Sequence, residues 1–310
     1  MNLCHSSKII IKNLNIKNKD SALIITDKKR EEIGKAIFNE SAKICRTVLI
    51  KIPVADHPGE EPPKKVAELM KKFSFVIAPT TGSITHTKAS QNAVKRGTTV
   101  ITLPGITGKI MKQSIAVNYK RLKQNTSKLL NKLKFSKEMK IITNSGTNIK
   151  FKTIKRRWIK DDGDFKNNKL GNLPAGEVFI APYEGTTNGI LRVDLAKNDK
   201  TIYAKKGTFI KIKNGKVVHI SDKNCLLAKY FKTIKNSTNI AELGIGTNPK
   251  AKLIENILQD EKALKTCHIA FGNNTSMGGK IYSKIHLDII LKNPTIYADN
   301  KLIMKQGVLL

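Results

Sequence analysis

The sequence predicts an α/β N-terminal domain, in which helices cover both faces of a parallel sheet, followed by a strand-rich α+β domain that binds metal. Two observations support this prediction. Residues 22–105 alternate short β-branched runs with amphipathic stretches of about ten residues, which is typical of a parallel sheet. Beyond residue 138, short apolar runs are separated by Gly and Asn turns. We therefore predict two domains, at residues 1–138 and 139–310.

The first domain reads as alternating strands and helices. Its predicted strands are 22–26, 47–52, 75–79 and 98–103, and its predicted helices are 31–44, 63–72, 87–96 and 114–133. Ligands of open α/β sheets lie beyond the carboxyl ends of the strands, so the loops there are candidates for substrate contact. His86 lies in such a loop, between two Thr residues at a predicted helix start. This position suits either substrate binding, which we predict, or capping of the helix.

The second domain contains two predicted hairpins and a predicted helix. Short strands flank an Asn-Ser-Gly turn within 140–151, and a second pair flanks the Asn-Gly turn within 213–216. The helix is predicted over 249–260. The rest of the domain reads as short strands, and these strands carry the candidate metal ligands.

The chain is strongly basic, but its basic residues do not indicate a polyanionic partner. The formal net charge is +33, and seven of the 57 basic residues are Arg, so the rest are Lys. Clustered cations normally indicate nucleic acid or an anionic membrane. Here Lys is spread along the chain beside abundant Ile and Asn, and all three have A/T-rich codons, so a biased genome accounts for the charge. We expect no specific nucleic-acid partner, because Arg and aromatic residues are scarce.

Cysteine usage and hydropathy indicate a soluble cytoplasmic protein. The four Cys residues lie far apart without a Cys-x-x-Cys pair, which argues against a disulfide framework and a structural zinc site. No apolar run approaches the ~20 residues needed to span a bilayer, and the N-terminus lacks the order of a signal peptide. We expect a peptide or small-molecule substrate and no membrane partner, and we allow for a homodimer.

Three candidate ligands lie at separate places in apolar segments of the second domain. Glu177 leads into Val-Phe-Ile-Ala, where an unpaired carboxylate would be costly unless it met a cation. Glu242 lies between apolar residues and glycines, which let a backbone approach a ligand closely. His268 precedes Ile-Ala-Phe-Gly. Taken alone, Glu177 and Glu242 are equally consistent with exposed acids. His268 alone is equally consistent with a hydrogen-bonded core histidine.

A His-x-Asp pair is the stronger signal. Strand alternation places His286 and Asp288 on one face of an apolar strand, with Ile285, Leu287 and Ile289 on the other. Together with the three residues above, the pair gives two imidazoles and three carboxylates. This ligand set suits one or two divalent ions such as Zn, Co, Mn or Fe.

Four ordered segments carry a resemblance to a known family. They are 172–189, 241–249, 268–272 and 286–288, and they resemble the thermophilic metalloaminopeptidase family typified by aminopeptidases T and S. A looser similarity at 83–87 is to shorter leucyl aminopeptidase-like members. The resemblance implies a metal-dependent aminopeptidase that removes N-terminal residues from peptides with a metal-activated water.

The resemblance also implies roles for particular residues. Two ions, Zn, Co or Mn, would be held by residues that include Glu242 as the acid shared between them; the full set is Glu177, Glu242, His268, His286 and Asp288. Glu184 is a candidate general base by its proximity in sequence to Glu177. The family's catalytic tyrosine is expected a few residues beyond His268, where this sequence has none before Tyr282.

The same family resembles an iron-dependent ring-cleaving dioxygenase of dihydroxypyridine breakdown. That alternative needs one Fe(II) at two His and one carboxylate, for which His268, His286 and Asp288 suffice. Glu177 and Glu242 would then bind or deprotonate the substrate. The two hypotheses therefore differ in the number of ions and in the class of reaction.

Overall fold

The computed structural model describes residues 2–57, 59–166, 168–198 and 201–310, and it divides into two compact units. The first unit comprises Met1–Lys123 and Asp161–Ala175, and the second comprises Gln124–Lys160 and Gly176–Leu310. The predicted fold class is confirmed, because the first unit holds a parallel sheet with helices and the second holds antiparallel sheets.

The elements follow the chain in this order. The elements of residues 1–172 are α1 (Leu3–Leu14), β1 (Ser21–Asp27), α2 (Glu31–Ala42), β2 (Arg46–Ile52), α3 (Lys64–Met70), β3 (Phe75–Ala78), α4 (Lys88–Lys95), β4 (Thr99–Thr102), α5 (Gly108–Gln113), α6 (Tyr119–Leu133), β5 (Glu138–Ile142), β6 (Asn148–Lys152), β7 (Ile159–Asp161) and β8 (Leu170–Asn172). The remaining elements are β9 (Glu177–Ile180), β10 (Asn188–Arg192), β11 (Lys197–Asn198), β12 (Thr201–Ile202), β13 (Phe209–Lys213), β14 (Lys216–Ile220), α7 (Leu226–Thr233), β15 (Ile240–Gly246), α8 (Ile257–Asp260), β16 (Thr266–Gly272), a 3-10 turn (Thr275–Met277), β17 (His286–Lys292), β18 (Thr295–Ala298), β19 (Lys301–Lys305) and β20 (Val308–Leu309).

The first unit is built on a five-stranded parallel sheet. Its strand order is β2-β1-β3-β4-β8, and each paired strand is parallel to its neighbour. The interior residues of β1 and β3 are completely buried, as expected for a sheet with helices on both faces. The four strands predicted for this region are confirmed, and so is the helix that ends near residue 96.

The predicted boundary at residue 138 differs from the observed division in two places. Strand β8 pairs with β4 after an excursion of the chain through β5, β6 and β7, so residues 161–175 belong to the first unit. Leu129 and Leu133 of α6 are buried in the core of the second unit, so this helix packs with the residues that follow it. Short strands such as β8 carry little sequence signal, because their partner lies far away along the chain.

Two predicted helices are wrong in extent. The helix predicted over 114–133 begins later, because α5 ends at Gln113 and α6 covers Tyr119–Leu133. Within 249–260, α8 begins only at Ile257. The preceding loop is held by side chains, since Asp260 accepts hydrogen bonds from two backbone N–H groups of the loop and Asn248 from two others. Asn and Asp side chains can offer the backbone such an alternative to helical bonds.

The second unit contains two large antiparallel sheets with a shared apolar core, and the short strands β11 and β12 form a separate two-stranded sheet. The larger has the order β14-β13-β10-β6-β5-β18-β19-β20, and the smaller has the order β17-β16-β15-β9-β7. Both predicted hairpins are confirmed, as β5–β6 and β13–β14. The core takes alternate residues from both sheets, among them Ile141, Ile149, Ile212, Val178, Leu243, Ile245, Ile269, Phe271 and Ile289. The smaller sheet therefore has one face committed to the core.

Across the described residues, no helix is both long enough and apolar enough to cross a membrane.

Candidate metal centre

The other face of the smaller sheet brings the five predicted ligands together. In the register of its strands, Glu177 pairs with Gly246, His268 with Gly244, and Ala270 with both Glu242 and Asp288. His286 pairs with Gly272 at the start of β17. Paired residues of an antiparallel sheet point to the same side. The large polar side chains therefore alternate with small residues, which leave the space that they occupy.

Glycine at position 244 is required by the imidazole of His268. A Cβ atom built on Gly244 would lie 2.0 Å from Cε1 of His268 and 2.3 Å from its Nε2, so the ring lies directly over the glycine. The side chain of His268 is completely enclosed, with 1% of it exposed. The Gly-x-Gly sequence at 244–246 thus serves close packing of this site.

The ligand atoms converge on a small volume. Nε2 of His268 lies 3.2 Å from Oε1 of Glu242, 3.6 Å from Oε2 of Glu177 and 3.9 Å from Oδ1 of Asp288. Nε2 of His286 lies 3.1 Å from Oε2 of Glu242 and 3.5 Å from Oδ1 of Asp288. The carboxylate of Glu242 therefore lies between the two imidazoles, one oxygen to each.

A backbone carbonyl orients one of the two imidazoles. Nδ1 of His286 lies 2.7 Å from the carbonyl oxygen of Asn273 and donates its hydrogen to that oxygen. The neutral ring then carries its lone pair on Nε2, the atom that faces the carboxylates. Metal-binding histidines are commonly oriented by such a hydrogen bond on the other nitrogen.

Charge interactions within the cluster shift the pKa values of its members. Burial would lower the pKa of His268, but the hydrogen bond to Glu242 and the charges of Glu177 and Asp288 outweigh burial and raise it to about 9. Burial is likewise outweighed for His286, whose pKa is raised well above its ordinary value by Asp288 and Glu242. Burial would raise the pKa of Glu242, but both imidazoles lower it strongly. The carboxylates thus favour a positive charge at the centre of the cluster.

The residues present fit a divalent metal ion. Among the described residues, Oε2 of Glu177, Oδ1 of Asp288 and Nδ1 of His268 are buried without a hydrogen-bond partner. Buried oxygens of carboxylates are costly unless they meet a cation. The two carboxylate oxygens both face Nε2 of His268, and three overlapping groups of acids and imidazoles have ligand atoms within 4.8 Å of one another. Two His and several carboxylates could hold Fe, Mn, Co or Zn.

Two neighbouring residues escaped the sequence analysis. Glu261 belongs to one of these groups, together with His268 and Asp288. Lys262 binds Glu177 and lies 3.0 Å from Glu261, and its side chain is 1% exposed. The available signal was the charged run Asp-Glu-Lys at 260–262, at the end of the helix predicted over 249–260.

The carboxylate of Glu184 has partners of its own in the second unit. It forms an ion pair with Arg156 and accepts hydrogen bonds from the side-chain amide of Asn274, at 3.0 Å, and from the backbone N–H of Lys280, at 2.8 Å. Arg156 also donates to the carbonyl of Gly278 at 2.5 Å. These contacts fasten the loop between β16 and β17. A role for Glu184 as general base stays a prediction.

His86 lies in the first unit, in the loop between β3 and α4. It precedes Thr87, whose side chain caps the N-terminus of α4 by accepting a hydrogen bond from the N–H of Ser90. The loop follows the carboxyl end of a parallel strand, where the sequence places it. Substrate contact by His86 also stays a prediction.

Taken together, a parallel α/β unit and an antiparallel unit with a buried cluster of acids and imidazoles define a metalloenzyme. The particular family follows from sequence. A family model described as "NicX: 2,5-dihydroxypyridine 5,6-dioxygenase" matches residues 31–310, and the chain belongs to that family. No curated protein sequence matches the chain.

Two solved structures share the fold. The 2,5-dihydroxypyridine dioxygenase from Pseudomonas putida KT2440 has a TM-score of 0.81 at 17% identity, covering 99% of this chain and 96% of that one. AmpT from Thermus thermophilus has a TM-score of 0.71 at 14% identity, covering 100% of this chain and 99% of that one. The predicted resemblance to aminopeptidase T is therefore confirmed for the fold. The family match favours the dioxygenase alternative, and the hydrolase class is not confirmed.

Proposed function

We propose that the protein is a mononuclear iron(II)-dependent dioxygenase that opens a dihydroxylated aromatic ring of the dihydroxypyridine class. The observation that carries the proposal is the convergence of two imidazole Nε2 atoms and one carboxylate, from His268, His286 and Asp288. Two His and one carboxylate are the ligand set of non-haem iron oxygenases, which leaves positions open for oxygen and substrate. Membership in the NicX family supports this proposal over a hydrolase.

The bound iron would supply the one-electron chemistry that allows O2 to react with an electron-rich ring. The protein's part is positioning. All three ligands belong to two adjacent strands, β16 and β17, whose paired backbones fix the separation of the side chains. The carbonyl of Asn273 keeps the lone pair of His286 on Nε2.

Glu242 has the geometry to move a proton. Its two oxygens lie 3.2 Å and 3.1 Å from the two imidazole nitrogens, so a substrate hydroxyl bound among these groups meets an ionised acceptor. A general base takes a proton from a group that it approaches within about 2.6–3.2 Å between heavy atoms. Glu242 would take the hydroxyl proton and thereby raise the electron density of the ring. Burial of the cluster keeps bulk water from competing for the same oxygens.

A metal-dependent aminopeptidase is the second candidate. It is favoured by one observation, that Glu177 and Glu242 join the two His and Asp288 in a single cluster, as the resemblance to aminopeptidases T and S implies. Against it, the segment after His268 supplies no tyrosine before Tyr282, whose side chain is exposed. That reaction would use two Zn, Co or Mn ions.

One experiment separates the two candidates. Protein loaded anaerobically with Fe(II) is mixed with 2,5-dihydroxypyridine and O2, and both O2 consumption and substrate absorbance are followed. We expect one O2 consumed for each ring opened and a product that carries both oxygen atoms. The same protein loaded with Zn, Co or Mn is tested on aminoacyl anilides. Turnover of anilides without consumption of O2 in the first assay would reverse the proposal, and Glu242→Gln should impair whichever reaction is real.

A further inference from the structure

Lys262 is a fully buried cation beside the candidate metal centre. It lies two residues after the end of α8, and its side chain is 1% exposed. Its ammonium group binds Oε1 of Glu177 and lies 3.0 Å from Oε1 of Glu261, and both of these carboxylates are 7% exposed. Lys is almost never fully buried unless it is paired. The pairing of Lys262 with two buried acids therefore accounts for its position.

The backbone around Lys262 is fixed by close packing on the same sheet. The carbonyl of Lys262 accepts a hydrogen bond from the N–H of Asn248 at 2.8 Å. A Cβ atom on Gly246 would lie 2.0 Å from the carbonyl oxygen of Ala263. The second glycine of the Gly-x-Gly sequence is thus required by the segment that carries Lys262, as the first is required by His268.

Glu177 connects this lysine with the metal ligands. Its Oε1 binds Lys262, while its Oε2 lies 3.6 Å from Nε2 of His268. Glu261 similarly joins Lys262 on one side and belongs to a group with His268 and Asp288 on the other. In two-metal sites the ions lie about 3.5–4 Å apart, so a second ion needs carboxylates close to the first. Glu177 and Glu261 are such carboxylates, and the ammonium group of Lys262 contacts both of them.

We infer that Lys262 takes the place of a second metal ion and limits the centre to one divalent ion. The inference rests on the metal centre of the proposed function and names the residue that sets its metal count. The ammonium held between Glu177 and Glu261 supplies both carboxylates with a buried cation without a second metal ion. Without that ammonium, these two acids and Glu242 would form a second divalent site beside the first.

Metal stoichiometry tests this inference independently of activity. Wild type, Lys262→Met and Lys262→Arg are stripped with chelator and titrated with Zn(II) and Mn(II), with bound metal measured by elemental analysis. We expect one equivalent in the wild type and in the Arg variant, which keeps the charge. We expect two in the Met variant, with affinity for the second ion raised at least tenfold. A bridged Mn(II) pair in that variant should also show an exchange-coupled electron paramagnetic resonance spectrum.

The outcomes separate this inference from the proposed function. One equivalent in both the wild type and Lys262→Met would overturn the role of Lys262 and leave a one-iron centre intact. Two equivalents in the wild type would overturn both. Binding of no metal by the wild type would overturn the metal centre itself, and with it the inference.

A folding defect does not remove the test. Lys262→Met leaves two buried carboxylates without their cation, so Lys262→Gln, which keeps a hydrogen-bond donor, is measured in parallel. For both variants the unfolding temperature is followed during the Zn(II) titration. We expect it to rise until two equivalents are bound, whereas that of the wild type stops rising at one. A rise that stops at one equivalent in the variants would contradict the inference.

Discussion

The two faces of the smaller sheet in the second unit differ in chemistry although the same strands provide both. One face contributes Val178, Leu243, Ile269 and Leu287 to the core shared with the larger sheet. The residues adjacent to them in sequence, Glu177, Glu242, His268, His286 and Asp288, form the candidate metal centre on the opposite face. Because successive residues of a strand point to opposite faces, a substitution at one residue can change stability while a substitution at the next residue changes function.

The faces also differ in what stabilises them. Burial of apolar side chains stabilises the core face without requiring any particular partner. The site face contains buried charges that are costly to remove from water, and each depends on the charges beside it. Substitutions on the core face should therefore change the free energy of unfolding, and substitutions on the site face should change metal affinity.

The largest expected effect is the loss of metal from His268→Ala. The variant removes the nitrogen that faces three carboxylates, so we expect no stoichiometric metal after gel filtration, measured by elemental analysis. Ile269→Val is the matched control, one residue away on the core face. It should cost about 0.5–1.5 kcal/mol of stability and keep its metal. Equal metal content in the two variants would contradict the difference between the faces.

The next effect is a loss of stability from Leu243→Ala. Leu243 is completely buried in the core between Glu242 and Gly244. Deleting its side chain should lower the free energy of unfolding by about 2–5 kcal/mol, as measured by urea denaturation. Folded protein should still bind metal with wild-type stoichiometry. If metal affinity fell as far as in His268→Ala, the faces would be coupled.

Removing the metal should destabilise the second unit selectively. A ligand that binds only the folded state at a hundredfold excess over its Kd stabilises it by about 2.7 kcal/mol. The candidate ligands span residues 177–288, so this unit must fold before the site is complete. Limited proteolysis with and without chelator, read by mass spectrometry, should show metal-dependent protection beyond residue 176. Protection confined to residues 22–105 would place the metal in the first unit.

Gly244→Ala should weaken metal binding by about 10–100-fold, the range found for residues that orient metal ligands. The new Cβ atom would meet the ring of His268 at 2.0 Å and displace it. Calorimetric titration with Zn(II) measures this effect. The steric origin is checked by a double-mutant cycle in urea. The loss of stability from Gly244→Ala should largely disappear in the background of His268→Ala, and additive losses would contradict the proposed clash.

The smallest effect concerns Glu184. Glu184 holds the loop between β16 and β17 in place. Glu184→Gln should therefore lower the free energy of unfolding by about 1–3 kcal/mol and leave kcat and metal content nearly unchanged. Partial burial would raise the pKa of Glu184, but the N–H of Lys280, the amide of Asn274 and the charge of Arg156 lower it below its ordinary value. Its contribution to stability is therefore present above the unfolded-state pKa and lost as pH falls through the lower, folded-state pKa.

The control for this prediction compares unfolding curves across acidic pH. The loss of stability at acidic pH that comes from protonation of Glu184 in the wild type should be absent from the Gln variant. A large fall in kcat at unchanged stability would instead support the role of Glu184 as general base.

Much of the fold and the candidate ligands followed from local patterns. Alternating β-branched runs and helices predicted the parallel sheet, and an Asn-Ser-Gly turn and an Asn-Gly turn predicted the two hairpins. Strand alternation predicted that His286 and Asp288 share a face, and the burial of Leu287 between them agrees. These features depend on the strand period of two residues and the helix period of 3.6 residues, and both periods can be recognised in the order of consecutive residues.

Tertiary structure decided what consecutive residues do not encode. The sequence by itself determined which residue types were available: the acids, the imidazoles and the two glycines at 244 and 246. Pairing between strands placed His268 over Gly244 and added β8 to the first sheet. The tertiary fold also brought Lys262, which lies beyond α8, into contact with Glu177, 85 positions away in sequence. Such pairings are set by packing between distant segments, because a buried charge is stabilised by whichever opposite charge the fold brings to it.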